Sequence, residues 1–266
     1  MPEDFHNPFQ FVPHTDDPSL ESAPLVRDAD TQSRRLDPWP THLTHDRFVP
    51  STFSGRLVCR LTVCELLALG AQQEGDGQKG SGARDVSLFR IGDQWAIPGS
   101  SLRGMISAIA EAASDSAFRV LENEEWSRSA GPRHRVPLGQ AHDYFTAEKR
   151  PLQLNDERQL LSLAEQLFGV VEEVPSEEKT RKTTRQRAFA LASRLRISNA
   201  LPEPHSASQL SQPEVTPIMA SPKPPSAALY VHPKSGPGHV PTAGVDAALH
   251  RPNGRKFYLH RRHLEE

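Results

Sequence analysis

Proline placement limits where this chain can form regular structure. Of the 24 prolines among 266 residues, eleven lie in residues 202–252. Proline has no N–H to donate and fixes φ, so it interrupts helices and the interior of sheets. Residues 202–252 also lack an apolar period, and an irregular stretch of this length inside a domain is usually functional or disordered. We therefore expect a modest folded core that carries long irregular insertions.

Composition excludes several classes of protein. The formal net charge is -2, so the chain is not a globally basic nucleic-acid binder, and any such site must be a local patch. No segment is apolar enough over a sufficient length to span a bilayer, and the N-terminus lacks the pattern of a signal peptide. We expect a cytoplasmic protein with no membrane partner.

The two cysteines, Cys59 and Cys64, lie five positions apart in one apolar run. On a strand they would point to opposite faces, so they are not expected to form a disulfide. No CxxC pair is present, and the histidines are not spaced with cysteines as in zinc fingers. Structural zinc is not expected.

The pattern along the chain predicts an extended N-terminal segment followed by one folded domain. Residues 1–54 form the extended segment, and residues 55–266 form the domain. Insertions are predicted at residues 70–85, 172–187 and 202–252, where polar, glycine-rich or proline-rich sequence replaces an apolar period.

Three segments alternate between apolar and polar side chains, which is the period of a half-buried strand. They are residues 55–63, 194–198 and 256–261. Their polar faces carry Arg56, Arg60, Arg194, Arg196, Lys256 and Tyr258. If the strands pair in one sheet, this basic face suits single-stranded RNA, because cations meet phosphates while a ring stacks on a base. Outer faces of ordinary sheets also carry arginine, and that alternative stays open.

Residues 97–104, IPGSSLRG, predict the start of a helix. Ser100 or Ser101 can cap it, and an apolar stripe then repeats at helical spacing. The stripe consists of Leu102, Met105, Ile106, Ile109, Ala110 and Ala113. A second helix is predicted over residues 156–168, capped by Asn155 and stopped by Gly169.

The start of the first helix is also a candidate anion site. The backbone N–H groups of Gly99, Ser100, Ser101 and Leu102, with Arg103 beside them, make a phosphate-sized cradle. A Gly-Ser helix start also needs no ligand, so a purely structural role is the alternative.

IPGSSLRG resembles the signature of the repeat-associated mysterious proteins, the RAMP superfamily of CRISPR proteins. In that family the signature follows a first strand and a glycine-rich loop, and it opens the first helix. Four further segments resemble the family in the same order: residues 7–13, 167–169, 192–198 and 254–260. Asn199 stands where the family often has Asp. The resemblance implies an α+β, ferredoxin-like (RRM-like) core sheet with helices on one face and thumb-like insertions.

The resemblance also implies a function in antiviral defense. The chain would be a backbone subunit of a type III, or type III-like, CRISPR effector complex. It would bind guide crRNA, stack with other effector subunits, including further RAMP subunits, and position a complementary single-stranded target RNA in this ribonucleoprotein complex. Residues 202–252 are the candidate thumb.

Many type III backbone subunits are also endoribonucleases, in which a loop Asp and a divalent metal promote attack by the adjacent 2′-hydroxyl. The resemblance implies Asp85 first and Asp76 second as catalytic residues, with Mg²⁺ or Mn²⁺. The alternative is a non-catalytic RNA-binding scaffold in a complex whose nuclease is another subunit. Two further alternatives are a guide-processing ribonuclease using a histidine as general acid or base, and a protein-only scaffold. The candidate histidines are His134, His142 and His260.

Overall fold

A computed structural model of the chain defines the architecture described here. It describes residues 9–19, 21–27, 34–36, 50, 52–64, 67, 69–70, 87–123, 125–131, 134–153, 157–172, 189–204, 231–236 and 245–258. Within these residues the fold is mixed α/β, with small antiparallel sheets and few helices, and it is compatible with the predicted α+β class.

Most of the regular elements are short. In chain order they are β1 (Phe9–Val12), β2 (Ala23–Arg27), β3 (Arg34–Leu36), β4 (Arg90–Ile91), β5 (Gln94–Trp95), α1 (Gly99–Ala113), β6 (Glu125–Gly131), β7 (His134–Gln140), β8 (Leu160–Leu161), α2 (Leu163–Phe168), β9 (Val170–Val171), β10 (Ala190–Leu191), β11 (Val231–Pro233), β12 (His250–Pro252) and β13 (Arg255–Tyr258). Two 3₁₀ turns follow β7, at Ala141–Tyr144 and Ala147–Lys149.

The chain divides into two compact units. Unit 1 comprises Met1–Arg47, Ile109–Arg194 and Pro222–Glu266. Unit 2 comprises Phe48–Ala108 and Leu195–Ser221. The predicted boundary after residue 54 therefore lies inside unit 2.

Unit 1 contains most of the strand pairing. β1 pairs antiparallel with β13, β2 lies between β3 and β8, and β9–β10, β11–β12 and β6–β7 are two-stranded sheets. Residues 9–12 of the N-terminal segment are thus extended, as predicted, and they pair with the last described strand. Gly254, at φ +112, lies so close to the Val12 carbonyl that a Cβ there would overlap it.

Two apolar clusters form the core of unit 1. The first contains Leu25, Leu36, Leu152, Leu161, Phe189 and Leu191, and the second contains Tyr144, Phe145, Val231 and Val245. Both clusters join residues from distant parts of the sequence, so neither could be assigned from local periodicity.

Buried ion pairs accompany these clusters. Arg158 binds the Glu165 carboxylate with both terminal nitrogens, one of them at 2.9 Å. Glu165 also accepts hydrogen bonds from the backbone N–H and hydroxyl of Ser162, which precedes α2. Removing one partner of such a pair leaves an uncompensated buried charge, which costs about 3–5 kcal/mol.

The strand predicted over residues 55–63 is wrong. Residues 52–64 form no strand, and Leu57 and Val58 are 92% and 85% exposed. An alternating segment forms a strand only where a neighbouring strand pairs with its backbone and a core covers its apolar face. No described segment of the chain pairs with residues 52–64.

The strand predicted over residues 194–198 is wrong as well, since these residues are irregular. Gly92 and Asp93 form the turn between the short strands β4 and β5. The last predicted strand is confirmed as far as Tyr258, and residues 259–261 lie outside the described part.

The two predicted helices differ in outcome. α1 begins within the signature as predicted, although Met105 and Ile106 of its apolar stripe are 49% and 40% exposed. α2 is shorter than predicted: it is capped by Ser162, while β8 occupies residues predicted to be helical. Gly169 ends α2 with φ +77, as predicted. Asn155 lies outside the described residues.

Two regions contain more structure than their patterns indicate. β11 and β12 pair within the proline-rich insertion, and Val231 is buried there. The β6–β7 hairpin was not predicted, and its register shifts between Trp126 and Ser127 and between Ser129 and Gly131. Such irregularities break the period of two that identifies a strand. Most of the insertions at residues 70–85 and 172–187 lie outside the described residues.

No helix in the described part of the chain has the length and apolar character needed to cross a membrane.

His14 lies in an aromatic pocket of unit 1 beside buried charges. Its ring stacks on the Phe145 ring with 5.4 Å between the ring centroids. It meets the Phe118 ring edge-on with 6.2 Å between centroids. Its Nδ1 is buried without a hydrogen-bond partner in the described chain. Next to it, Lys149 pairs with Asp115 at 3.0 Å.

Burial lowers the pKa of His14 below its ordinary value of 6.5, and the nearby cations Lys149 and Arg255 act in the same direction. Asp115 and Asp16 oppose that effect on the His14 pKa. Burial alone would raise the pKa of Asp115, but hydrogen bonds from Thr15 and Lys149 hold it below its usual range.

We expect unit 1 to lose stability in mild acid through His14. Because the folded chain binds this proton more weakly than the unfolded chain, the contribution is complete above pH 6.5. It is lost as the pH falls from there through the folded-state pKa of His14. Urea unfolding of wild type and His14→Phe across this range isolates the effect, since the other histidines are common to both. Equal losses in the two proteins would contradict this assignment.

Candidate nucleic-acid interface

The signature segment begins α1 through backbone groups that are already paired. The N–H of Gly99 donates to Oδ1 of Asn199 at 2.7 Å, and the N–H of Leu102 donates to the Pro98 carbonyl at 3.1 Å. Asn199 therefore caps α1 from a segment 100 residues away. Two of the four N–H groups predicted to cradle a phosphate are occupied within the chain.

Gly99 contacts the backbone of residues 197–198 directly. A Cβ on Gly99 would lie 2.5 Å from the Ile197 carbonyl oxygen and 2.9 Å from the carbonyl carbon of Ser198. Ile97 and Ala200 exchange two backbone hydrogen bonds of 3.0 Å in an antiparallel bridge. Glycine is thus required at this position for close packing, because any side chain would overlap the opposite backbone.

The remaining predicted anion-binding groups are the first turn of α1 and its arginine. Ser100 and Ser101 are exposed, and within the described chain their backbone N–H groups have no hydrogen-bond partner. The first N–H groups of a helix carry partial positive charge. Arg103 is half-buried and engaged in contacts, so it is less accessible than predicted.

Three further predicted cations lie in unit 2. Arg56, Arg60 and Arg196 are exposed. The Nε of Arg60 lies 2.7 Å from Oε1 of Glu203, and the two side chains are 78% and 60% exposed. An ion pair as exposed as this contributes about 0–1 kcal/mol to stability. Such a partner exchanges readily for a phosphate. In the described chain, Arg56 and Arg196 have no ion-pair partner.

The other predicted RNA-binding residues lie in unit 1. Arg194 is exposed, and its backbone N–H donates to the Leu167 carbonyl at 2.9 Å. Lys256 is half-buried opposite Phe11 on the β1–β13 pair, and Tyr258 lies opposite Phe9, with its side chain outside the described part. The single basic sheet predicted from three strands is not formed by the described segments, because two of them are not strands.

The candidate catalytic residues Asp85 and Asp76 lie outside the described residues. Within the described ones, no group of three or more His, Cys, Asp or Glu side chains is arranged to hold a metal ion. Cys59 and Cys64 are exposed free thiols.

One candidate general acid or base is occupied structurally. His142 is 3% exposed, and its Nε2 lies 2.9 Å from the Leu121 carbonyl while Nδ1 lies 3.2 Å from the Gln153 amide. Both ring nitrogens are therefore engaged, and the buried ring is not accessible to a substrate. The side chain of His134 and the whole of His260 lie outside the described part.

The structure also reveals a cation–aromatic pair that pattern analysis missed. The Arg90 guanidinium carbon lies 3.6 Å from the Trp95 ring centroid. The two residues are directly opposite each other on β4 and β5. A two-residue turn between an arginine and a tryptophan was the available sequence signal.

No protein-family model matches the chain, and neither a curated protein nor a solved structure matches it. The likeness to RAMP proteins therefore rests on the sequence motifs alone.

Two glycines of α1 should respond oppositely to alanine. Gly99→Ala should separate the helix start from residues 197–198, because its Cβ would meet backbone atoms at 2.5 Å. Gly104→Ala should stabilise the helix by about 0.5–1 kcal/mol, because a Cβ there meets nothing within 4 Å and alanine is the better helix former.

Hydrogen exchange of the α1 amides measures both effects. Faster exchange in Gly99→Ala and slower exchange in Gly104→Ala is the expected result. Unchanged protection in Gly99→Ala would show that the two segments do not pack as described.

Proposed function

We propose that the chain is an RNA-binding backbone subunit of a type III CRISPR effector complex, and that unit 2 holds the guide crRNA. The observation that carries the proposal is the junction of residues 97–99 with residues 197–200. It joins the signature to the end of the segment at residues 192–198, which also resembles the RAMP family and is far away in sequence. A guide-binding site built from both segments requires such a junction.

Exposed groups around this junction suit the RNA backbone. Arg196 lies in the same segment as Asn199, and within the described chain the helix-start N–H groups of Ser100 and Ser101 have no hydrogen-bond partner. Arginine side chains and helix N-termini are common phosphate-binding groups, and they carry no sequence preference. A guide-binding subunit must accept any guide sequence, so backbone contacts are the appropriate kind.

The ferredoxin-like core and the stacking of subunits belong to the same proposal. Exposed apolar side chains support a neighbour in the complex: Phe53, Leu57 and Val58 are 100%, 92% and 85% exposed. Exposed apolar groups of this kind, when contiguous, mark interaction surfaces.

Because Val231 and Val245 are buried in unit 1, the proposed thumb is confined to residues 202–230.

The proposed complex positions single-stranded target RNA against the guide and cuts it through Asp85 and Asp76 with Mg²⁺ or Mn²⁺. The metal would stabilise charge at the scissile phosphate. A non-catalytic scaffold subunit is the alternative, and the two are separated by the cleavage experiment that closes this section.

Reversing exposed charges in unit 2 should weaken RNA binding for all sequences alike. We expect Arg56→Glu with Arg196→Glu to reduce the affinity for RNA about tenfold or more at low salt. The slope of log affinity against log salt should fall by about 0.7 for each lost phosphate contact. Fluorescence anisotropy with several unrelated guide-length RNAs measures both quantities.

Lys234→Glu is the matched control, because Lys234 is an exposed cation of unit 1. It should leave affinity and slope nearly unchanged. A loss restricted to one RNA sequence, or an equal loss in the control, would count against backbone binding by unit 2.

Target cleavage should depend on the predicted loop carboxylates. We expect a complex reconstituted with guide, complementary RNA and Mg²⁺ or Mn²⁺ to cut the target. The Asp85→Ala and Asp76→Ala double variant should cut about a hundredfold more slowly or less, because the metal loses its ligands. Asp93→Ala, in an exposed turn, is the control and should cut normally.

Denaturing gels of labelled target RNA give the rates. Normal cutting by the double variant would eliminate these two carboxylates as the catalytic residues. Absence of cutting by wild type, with intact guide binding, would favour the scaffold alternative.

A further inference from the structure

The β4–β5 hairpin presents a stacked arginine and tryptophan on the surface of unit 2. Gly92 and Asp93 form its two-residue turn, with Gly92 at φ +58, a left-handed conformation that glycine adopts without strain. Arg90 and Trp95 are opposite each other across the pair, so their side chains share one face. The guanidinium lies over the indole at 3.6 Å.

The base of the hairpin is fixed by backbone hydrogen bonds. Ala96 donates to the Phe89 carbonyl at 3.2 Å, and Phe89 donates to the Leu69 carbonyl at 2.8 Å. Ala96 is buried, whereas Trp95 is half-buried. These backbone hydrogen bonds fix the strands that carry Arg90 and Trp95, and the indole contacts the guanidinium across the pair.

In the described part of the chain, the outward face of the Arg90 guanidinium has no hydrogen-bond or ion-pair partner. Arg90 is exposed, and among the described residues its side chain interacts with the Trp95 indole. A planar guanidinium already oriented by an aromatic ring loses little conformational freedom when a second flat group stacks on its other face. Its N–H groups stay in the plane, where they reach phosphate or base-edge oxygens.

We propose that the Arg90–Trp95 pair is a stacking platform for an unpaired nucleobase of the bound RNA. Bases stack on arginine guanidinium planes as well as on aromatic rings, and such stacking tolerates any base. The inference rests on the proposed RNA-binding function and adds a base contact to it.

The position of the platform agrees with the proposed backbone contacts. Trp95 is five residues before Ser100, so their Cα atoms are at most about 18 Å apart. A single strand crossing the first turn of α1 would then reach the hairpin within the roughly 4–16 nucleotides that one single-strand site covers. Phosphates held by unit 2 would thus deliver a nearby base to the platform.

Three RNAs of equal length, about 12 nucleotides, test the proposal on the purified full chain freed of co-purified nucleic acid. They are oligo(A), oligo(U) and an abasic ribose-phosphate oligomer, and anisotropy measures their affinities. The variants are Arg90→Lys, which keeps the charge but lacks the planar face, and Trp95→Leu, which removes the supporting ring. Arg27→Lys, at an exposed position of unit 1, is the matched control.

We expect wild type to bind oligo(A) most tightly, then oligo(U), then the abasic oligomer. Arg90→Lys and Trp95→Leu should weaken oligo(A) about five- to tenfold and change the abasic oligomer less than about twofold. Arg27→Lys should change neither. Circular dichroism checks folding, and Arg90→Lys, an exposed and conservative change, keeps the test decisive if Trp95→Leu does not fold.

The failures are distinguishable. If wild type binds the abasic oligomer but the preference for oligo(A) survives Arg90→Lys, the platform is wrong while backbone binding stands. If wild type binds none of the three, the RNA-binding function fails and the platform with it. If the variants instead alter the sedimentation of the reconstituted complex without changing the preference for bases, the hairpin contacts protein and the platform is overturned.

Discussion

The approach of Gly99 to the backbone of residues 197–198 is the constraint on which unit 2 depends. A Cβ would come within 2.5 Å of a carbonyl oxygen, so the two segments meet only because residue 99 has no side chain. That closeness in turn allows the Ile97–Ala200 bridge and lets Asn199 cap the helix. A family-like signature and a family-like basic segment, 100 residues apart, thereby become one surface. The glycine of IPGSSLRG thus acts first as a packing residue. The backbone N–H groups of the following serines lack a partner in the described chain because they lie in the first turn of the helix.

Three buried arginines of unit 1 and three exposed arginines of unit 2 have different roles. In unit 1, Arg34, Arg158 and Arg255 are at most 8% exposed and are bound to glutamates. A buried cation must be paired, because its desolvation is otherwise uncompensated, so these side chains hold the fold together and are not available to a ligand. In unit 2, Arg56, Arg60 and Arg196 are exposed. A net charge of -2 is therefore consistent with a local basic patch. The guide-binding proposal uses these exposed arginines beside the junction of residues 97–99 with residues 197–200, and the proposed Arg90–Trp95 platform extends it from phosphates to bases.

Several features were predictable because their causes are local. The start of α1, its approximate length, the turn at Gly92 and Asp93 and the end of α2 at Gly169 follow from spacing, turn chemistry and glycine conformation. Extended conformation at residues 9–12 was predictable from its flanking prolines. The strands predicted at residues 55–63 and 194–198 do not form, because an alternating pattern specifies a strand only when a neighbouring strand pairs with it. The sequence could not identify Asn199 as a helix cap. Capping motifs are recognised by residues three or four positions apart, and this cap comes from a distant segment.

By itself the sequence determined the candidate RNA-binding residue types, the helix that follows the signature, and the family resemblance that gives them meaning. The tertiary structure alone decided which of those residues share a unit. It placed Arg56, Arg60, Arg196 and the signature in unit 2, and it placed Arg194, Lys256 and Tyr258 in unit 1. It also decided that the His142 ring is enclosed, and that Arg90 lies over Trp95. The physical reason is that the local sequence pattern reports backbone conformation and exposure. Proximity between distant segments depends instead on close packing and on hydrogen-bond partners that only the folded chain provides.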